Sequence, residues 1–454
     1  MAATGPGHDH ARPGIRVPWA HSDRAVPRRV LRPLQAYLQT SSASAVVLLA
    51  AVILAIAWAN SPWRESYERL WGTQISVRIG ARAITEDLRH VVTEGLMSLF
   101  FLVVGLEIKR EFTTGELRRW RAASVPIVAA FGGMVVPALI YVVLTRGTTG
   151  IRGWGVPMAT DIAFALAVLT LAAARAPTDL RPFLLALAIV DDIGAIIVIA
   201  VFYSGGIEWP ALGSVALIAL VIIVLQKIQV RATTVYLLLG FFLWFAMFES
   251  GVHATIAGVI LGLLTPTKPF QRPRHVSEEA RRTADETTDD PSFPDVDADS
   301  WLWLSWLSKE AVSPLARVEH TLLPWTSFVV LPLFALASAG IELSSDSLGD
   351  ALGSRITLGI VLGLVVGKLV GVWGAAMLAT HLRFGPLPPG ARGRDLAGVA
   401  QVAGIGFTVA LFVAELAFGD GTEGLNEAKV GVLAASLLAG ALAFLFFRGP
   451  RTQP

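Results

Sequence analysis

The sequence has 454 residues, of which 54% are hydrophobic and 16% are charged, and its mean hydropathy of +0.60 lies above the range of ordinary soluble domains. The formal net charge is +2, and the basic residues lie between apolar runs instead of along one stripe, which argues against a nucleic-acid partner. The absence of cysteine excludes disulfides, thiolate metal sites and iron–sulfur clusters. The predicted environment is a lipid bilayer.

In chain order, residues 1–30 come first; they contain many Arg and Pro residues and predict a disordered cytoplasmic tail. Apolar runs of about 20 residues, enough to cross roughly 30 Å of hydrocarbon, then predict transmembrane helices 1–8 over 31–265 and helices 9–12 over 313–448. These runs lie near 43–60, 88–108, 122–145, 154–174, 182–203, 210–226, 232–248, 251–265, 321–341, 355–380, 396–418 and 428–447. The predicted fold is an all-α polytopic membrane protein with about 12 transmembrane helices.

The basic residues predict the orientation of these helices. An even number of spans puts both termini on one side, and the arginines of the N-terminal tail place that side in the cytoplasm. Most of the 37 Lys and Arg residues lie in segments that this topology makes cytoplasmic. The sequence thus predicts a multi-pass protein of the plasma membrane, with a short cytoplasmic C-terminal tail over 449–454.

Two further segments lie outside the predicted spans. The outer loop over 74–84 alternates apolar and polar residues around Gly80, which predicts a β-hairpin that could pair with a second subunit in a homodimer. Residues 266–312 are rich in Pro, Asp, Thr and Arg and predict a cytoplasmic linker insertion. Three tryptophans near its end could rest at the lipid interface: Trp301, Trp303 and Trp306.

Charged residues inside the apolar runs indicate function. The central ones are Asp161, Asp191, Asp192 and Lys368, and the lesser cases are Glu94 and Glu415. At roughly 2.5–3.5 kcal/mol for each mid-helix Asp or Lys, the central charges cost on the order of 10–14 kcal/mol of insertion free energy. Salt bridges that fix the helix register are the structural alternative. Because packing alone would not favour such a cost, the charges predict an ion site.

Adjacent Asp191 and Asp192 project about 100° apart on a helix. One carboxylate can therefore face an ion cavity while the other reaches a cation such as Lys368. Protons and metal ions would compete for the same carboxylate oxygens, and competition at one site produces exchange. The pair predicts a binding site for a transported metal ion.

No cofactor is predicted. Only His253, of eight histidines, lies inside an apolar run, which is too few for a transmembrane haem. The nearest match to an ATP-binding loop, from Gly363 to Lys368, has the wrong spacing and lacks the following Ser or Thr. Transport would then be driven by an existing gradient or would be passive.

Two of the apolar runs contain residues that interrupt a helix. Pro157 leads into Thr160 and Asp161 in one half of the chain, and Gly404 and Gly406 interrupt a span in the other half. Unwound backbone is tolerated in a membrane only where it is buried in protein or lines a cavity. Interrupted helices in corresponding positions of two halves predict inverted-topology repeats with a binding site near the midplane.

Long motifs of this chain resemble those of the NhaA-type bacterial Na+/H+ antiporters over roughly residues 40–447. The motifs are FFLVVGLEIKREF, PMATDIAFAL, ALAIVDDIGAIIVIA, SGVHATIAGV, EHTLLPW and GIGFTVALFVA. The resemblance implies inverted repeats with two discontinuous crossing helices, which are a known property of that family. It also implies electrogenic exchange of Na+ or Li+ for protons, two protons for each Na+, in pH and sodium homeostasis.

Residue roles also follow from the resemblance. It implies that Asp191 and Asp192 bind Na+ or Li+, that Thr160 and Asp161 lie at the crossed helices, and that Lys368 is the charged partner of Asp191. It further suggests a pH-sensing group at the cytoplasmic side, formed by Glu107, Lys109, Arg110, Glu111 and Glu319, with His253 in another span. The chain departs from the family pattern at Leu323, Leu369, Glu415 and the 266–312 insertion, which bears on pH regulation more than on ion binding.

Other classes of function were weighed against antiport. A cation channel could use intramembrane carboxylates but would not need a site at which protons compete. An enzyme is disfavoured because no nucleophile–base pair or metal triad accompanies the aspartates. A proton-coupled carrier of another small solute is the main alternative, although an organic solute usually needs an apolar pocket with several directional polar groups.

Overall fold

The computed structural model describes residues 41–79, 82–173, 177–230, 232–286, 298–342, 349, 351, 353–419 and 421–448. Four predicted features lie wholly or partly outside the described residues. They are the tails over 1–30 and 449–454, the hairpin turn at 80 and 81, and residues 287–297 of the linker insertion.

Helices make up most of the described chain. The helices of eight or more residues, numbered in chain order, are α1 (Ser41–Ala59), α2 (Arg64–Trp71), α3 (Leu88–Thr113), α4 (Trp120–Thr145), α5 (Thr149–Met158), α6 (Ile162–Ala172), α7 (Leu180–Tyr203), α8 (Trp209–Lys227), α9 (Thr233–Glu249), α10 (Thr255–Leu264), α11 (Pro273–Glu286), α12 (Ala298–Glu310), α13 (Pro314–Ser338), α14 (Arg355–His381), α15 (Gly393–Ala403), α16 (Phe407–Phe418) and α17 (Glu423–Phe447).

Within the described residues, 7 helices are long and apolar enough to cross a membrane: α3, α4, α7, α8, α13, α14 and α17. Three further pairs pass the same test together but bend at a short break, by 116° between α1 and α2, 51° between α5 and α6, and 45° between α15 and α16. If each bent pair is one span, the number of candidate spans among the described residues rises to 10. Helices α9 and α10 are also apolar but shorter. The chain is thus a mostly helical protein with many apolar spans, as the sequence predicts.

A two-stranded hairpin precedes α3. Strands β1 (Gln74–Ile79) and β2 (Arg82–Asp87) pair antiparallel. The second strand runs beyond residue 84, the predicted end of the hairpin. It ends at Asp87 because the side chain of that residue accepts a 2.7 Å hydrogen bond from the amide of His90 and so caps the first turn of α3.

Glycines bring α14 close to α4. A Cβ added at Gly367 would lie 2.9 Å from the Cα of Pro137, and one added at Gly371 would lie 3.1 Å from the Cβ of Val136. Only a residue without a side chain permits backbones to approach this closely in a membrane. The packing holds Lys368, which lies between these glycines in sequence, inside the helical bundle, where its side chain is fully buried.

The interrupted pair α15 and α16 is enclosed by the other helices. Every residue from Leu396 to Glu415 is buried, and the break between the two helices covers Gly404, Ile405 and Gly406. The unwound backbone is therefore shielded from lipid, which is the condition for irregular structure at membrane depth. In α5 and α6 the corresponding break covers Ala159, Thr160 and Asp161.

The linker insertion contains two helices, α11 and α12, which contact each other. The composition of the segment gives little sign of them because α11 is strongly polar, and only Val276 and Thr283 are buried on it. On α12 the buried residues are Leu304, Leu307 and Glu310. The burial of these apolar side chains stabilises the helical pair.

Candidate cation site

The two interrupted helix pairs meet at their breaks. The amide of Asp161 donates a 2.7 Å hydrogen bond to the carbonyl of Ile405. Thr160 Oγ1 lies 2.8 Å from the carbonyl oxygen of Ala403. Backbone groups that lose their helical partners at a break must be satisfied elsewhere in a bilayer. Here each break supplies partners for the other, which fixes Thr160 and Asp161 in the interior.

Asp161 joins the first turns of two helices. Its Oδ1 accepts a 3.0 Å hydrogen bond from the amide of Phe164 and caps α6. Its Oδ2 accepts from both the amide of Thr408, at 3.1 Å, and the hydroxyl of Thr408, at 2.6 Å, at the start of α16. Helix N-termini carry partial positive charge and stabilise an anion. Asp161 is thus held as a buried carboxylate whose oxygens are already engaged.

Lys368 and Asp191 form a buried ion pair. Lys368 Nζ donates to Asp191 Oδ2 at 2.5 Å and to Thr160 Oγ1 at 3.0 Å, and both charged side chains are fully buried. Thr160 Oγ1 also lies 2.6 Å from Asp191 Oδ2. Because a hydroxyl has one hydrogen, Thr160 can donate either to Asp191 or to the carbonyl of Ala403 at one time. The helix widens locally over Gly363–Gly367, directly before Lys368, a distortion often found at functional sites.

Asp192 faces a cavity. The cavity has a volume of about 730 Å³, and its lining includes Thr160, Asp161, Asp192, Glu107 and Thr408. Oδ1 of Asp192 has no hydrogen-bond partner among the residues that the structure describes. A buried carboxylate oxygen without a donor is expensive unless a proton or a cation binds it. Asp192 is thus the carboxylate that is most available to a cation arriving through the cavity.

Charge in this cluster is unbalanced. Asp161, Asp191 and Asp192 are buried together with a single cation, Lys368. With all four ionised, the cluster would carry two excess negative charges, which favours uptake of a cation or of protons. In the part of the chain that the structure describes, no three His, Cys, Asp or Glu side chains are placed to hold a metal ion together. A cation bound here would need hydroxyl, carbonyl or water oxygens beside the carboxylates.

The residues of the predicted pH-sensing group lie at one end of α3. Glu107 lines the cavity that contains Asp192. Arg110 donates to Glu319 of α13 in an ion pair, and Glu111 accepts hydrogen bonds from the amides of Glu116, at 2.6 Å, and Leu117, at 3.3 Å. Lys109, the remaining member on α3, is partly exposed. Thus only Glu107 of this group borders the candidate ion cavity.

His253 lies apart from that group. Its Nδ1 is 2.9 Å from Oε1 of Glu94, and its Nε2 is 3.0 Å from the carbonyl oxygen of Tyr203. The other oxygen of Glu94 accepts from the amide of Ala254 at 2.9 Å. The resemblance places His253 in a different span from the charges around Glu107, and its partner Glu94 lies in the second turn of α3, near the other end of that helix from Glu107.

Glu415 also has its own partners. Lys429 Nζ lies 3.8 Å from Glu415 Oε1, and Thr93 Oγ1 lies 3.4 Å from Oε2. Both charged side chains are almost fully buried. A buried carboxylate that is paired with an ammonium group fits a structural contact between α16 and α17 at least as well as an ion site.

Several groups at the site lie outside the set of predicted site residues. The Thr408 hydroxyl and the carbonyls of Ala403 and Ile405 contact the site from the second break. His320 and Ser327 of α13 line the cavity. The sequence does signal Thr408, since it lies two residues after Gly406, close to the interruption at 404–406, where a hydroxyl can meet a carboxylate. Carbonyl groups have no such sequence signal.

All residues of this site lie within the part of the chain that matches known proteins. Residues 35–447 match the family described as Na+/H+ antiporter 1. The Na(+)/H(+) antiporter NhaA of Anaeromyxobacter sp. is 44% identical over 427 residues, which is 92% of this chain and 92% of the relative. The Na(+)/H(+) antiporter NhaA 2 of Sorangium cellulosum is 44% identical over 437 residues, 96% of this chain and 92% of the relative. The Na(+)/H(+) antiporter NhaA of Janthinobacterium sp. is 40% identical over 448 residues, 97% and 98% of the two chains.

Proposed function

This chain belongs to the Na+/H+ antiporter 1 family, and we propose that it exports Na+ or Li+ from the cell in exchange for protons through Asp191 and Asp192. The membership confirms the resemblance seen in the sequence motifs. Members of this family are transporters and not enzymes.

The observation that carries the proposal is the unpartnered carboxylate oxygen of Asp192 in the cavity. A cation that enters the cavity can bind this oxygen, and the Thr160 hydroxyl lines the same cavity. The same oxygen can bind a proton instead. Because one oxygen cannot hold both, release of the cation and uptake of the proton are linked at this residue.

The ion pair of Lys368 with Asp191 suggests where the second proton is handled. If a cation also engages Asp191, it weakens the attraction that keeps the ammonium group of Lys368 protonated. Lys368 would then release a proton while Asp192 releases another. Two protons would cross for each Na+, so that every cycle moves one net charge and responds to the membrane potential.

The architecture proposed with this function has about 12 spans in inverted-topology repeats. The helix pairs interrupted at 159–161 and 404–406 would be the two discontinuous crossing helices. Both termini would lie in the cytoplasm of a bacterial cell, and the hairpin of β1 and β2 would join two copies in a homodimer. The physiological role would be pH and sodium homeostasis, with Glu107 and its neighbours adjusting the response to pH.

The test is transport by the purified full chain in proteoliposomes that contain a pH-sensitive dye. Addition of NaCl or LiCl should move protons, whereas choline chloride should not. Asp191→Asn and Asp192→Asn should each abolish the response. Asp179→Asn is the matched control, because Asp179 is an exposed residue directly before α7, the helix that carries both site aspartates.

Two results would contradict the proposal. An unchanged Na+ response in Asp192→Asn would remove the residue from the exchange. No response of the well-inserted wild type to either cation across a broad pH range would instead favour the proton-coupled carrier of another small solute.

A further inference from the structure

The linker insertion forms a helical hairpin that is tied to the membrane-spanning part at its base. The amide of Gln271 donates to the carbonyl of Glu310 at 3.0 Å, and the amide of Leu315 donates to the carbonyl of Pro266 at 3.1 Å. The chain leaves the apolar helix α10 just before this base and enters the apolar helix α13 just after it. The base of the hairpin therefore lies where membrane helices end, at the lipid–water boundary.

The outer surface of α11 is polar. Arg274 lies 3.1 Å from Glu278, and Arg282 lies 2.9 Å from Glu286, each pair one helical turn apart and largely exposed. Such pairs are favourable on the water-exposed side of a helix. This helix therefore presents an ordinary aqueous surface.

The outer surface of α12 is different. Leu302, Trp303 and Trp306 form its aromatic flank and are 68%, 51% and 39% exposed. The rings of Trp303 and Trp306 stack, with centroids 4.9 Å apart. Exposed apolar surface in water costs about 25 cal/mol for each Å². Exposure of this flank to water is therefore unfavourable, whereas the exposed side chains of its neighbour α11 include the charged pairs described above.

We propose that α12 lies on the membrane surface and inserts its aromatic flank into the headgroup region of the bilayer, with α11 above it in water. Tryptophan is the residue that bilayer interfaces favour most clearly. Trp325 of α13, shortly beyond the hairpin, is exposed as well, on a helix that is long and apolar enough to cross a membrane. Lys309 at the end of α12 is exposed and can reach lipid phosphates.

Ion pairs link this hairpin to the membrane-spanning helices. Arg317 of α13 lies 3.7 Å from the buried Glu310 of α12, and Glu319, two residues further, pairs with Arg110 of α3. The position of α12 on the lipid is therefore connected to the charged end of α3. This surface is independent of which ion the protein carries, so its test does not depend on transport.

The experiment uses single cysteines, since the natural chain has none. Leu302→Cys on the aromatic flank and Glu278→Cys on the outer surface of α11 are each labelled with the fluorophore NBD in the full chain, reconstituted in lipid nanodiscs. Quenching is measured with a nitroxide on the lipid acyl chain and with iodide in water. We expect the probe at position 302 to be quenched several-fold more by the lipid nitroxide than by iodide, and the probe at 278 to show the reverse.

Equal iodide quenching at both positions would overturn the proposal, because α12 would then face water. Protection of position 302 from both quenchers would overturn it too, because a protein surface would cover the flank. Trp306→Cys provides an independent position on the same flank and should behave as Leu302→Cys does. Thermal melting of each labelled protein verifies that the fold is intact.

Discussion

Lys368 Nζ lies 2.5 Å from Asp191 Oδ2, and the side chains of both residues are fully buried. The pair brings α14 and α7 into direct electrostatic contact beside the break at Thr160. Lys368 and Asp191 therefore stabilise the fold independently of any role in transport.

Lys368→Met is expected to destabilise the protein by about 3–5 kcal/mol, because it leaves a buried Asp191 without its counter-charge. The double variant Lys368→Met with Asp191→Asn removes both charges and should recover much of that loss. Thermal melting in detergent measures both. A double variant that is less stable than Lys368→Met would show that the pair is not the source of the effect.

Thr408→Val should weaken binding of the transported cation. The substitution keeps the shape of the side chain but removes the hydroxyl that donates to Asp161 at 2.6 Å. The loss of one donor to a buried carboxylate costs about 1–3 kcal/mol, so the apparent KM for Na+ should rise and Asp161 should be held less firmly. Thr170→Val is the control, since that hydroxyl bonds the carbonyl of Leu166 within its own helix. Equal effects of the two variants would count against a role for Thr408.

Protons should compete with Na+ at Asp192. As the pH falls, a larger fraction of this carboxylate is protonated, and the apparent KM for Na+ should increase by up to about tenfold per pH unit for each competing proton. Initial rates of proton movement at several pH values and Na+ concentrations test this. A KM that stays constant over the whole active pH range would argue for separate sites for the two ions.

Gly367→Ala is expected to destabilise the protein and to reduce transport. The new methyl group would lie 2.9 Å from the Cα of Pro137, so α4 and α14 must separate next to Lys368. Overpacking of this kind costs typically 1–3 kcal/mol. Gly374→Ala lies on the same helix with nothing within 4 Å of the new methyl group and should be neutral or slightly stabilising. Melting temperatures of the two variants decide whether the close contact matters.

Glu107→Gln should change the pH dependence of transport more than its maximal rate. Glu107 lines the same cavity as Asp192, so its charge acts on the ion and on the aspartate across a region of low dielectric. Glu116→Gln, a substitution of the same kind in the short connection between α3 and α4, is the comparison. The measurement is the pH profile of Na+-driven proton movement, and superimposable profiles for wild type and Glu107→Gln would exclude the role.

The sequence predicted the buried charges well because a charge in an apolar run is costly and therefore conspicuous. It also located the breaks, since Pro157, Gly404 and Gly406 are poor residues for the middle of a helix. It could not decide from the residues alone which aspartate Lys368 contacts. Asp191 and Asp192 differ by only about 100° of helix rotation, and the rotation of α7 is set by packing against several helices.

The helices of the linker insertion were missed for a related reason. The segment is rich in Pro, Asp, Thr and Arg, α11 is strongly polar, and α12, with 13 residues, is too short to be predicted as a membrane span. Their order depends on mutual burial of residues such as Val276 and Leu304, which only the tertiary structure brings together. The separation of His253 from the charges around Glu107 agrees with the predicted topology, which puts residue 253 near the outer end of one span and residues 107–111 at the cytoplasmic end of another.

The hydrogen bond from the amide of Asp161 to the carbonyl of Ile405 joins main-chain atoms. Every amino acid except proline can donate that bond at position 161. The contact between the two interrupted segments thus includes a main-chain bond that survives a change of side chain at position 161, in addition to the bonds of the Asp161 carboxylate to Thr408. Substitutions during evolution could exchange the carboxylate for another group, and so alter which ion is carried, while this main-chain bond remains in place.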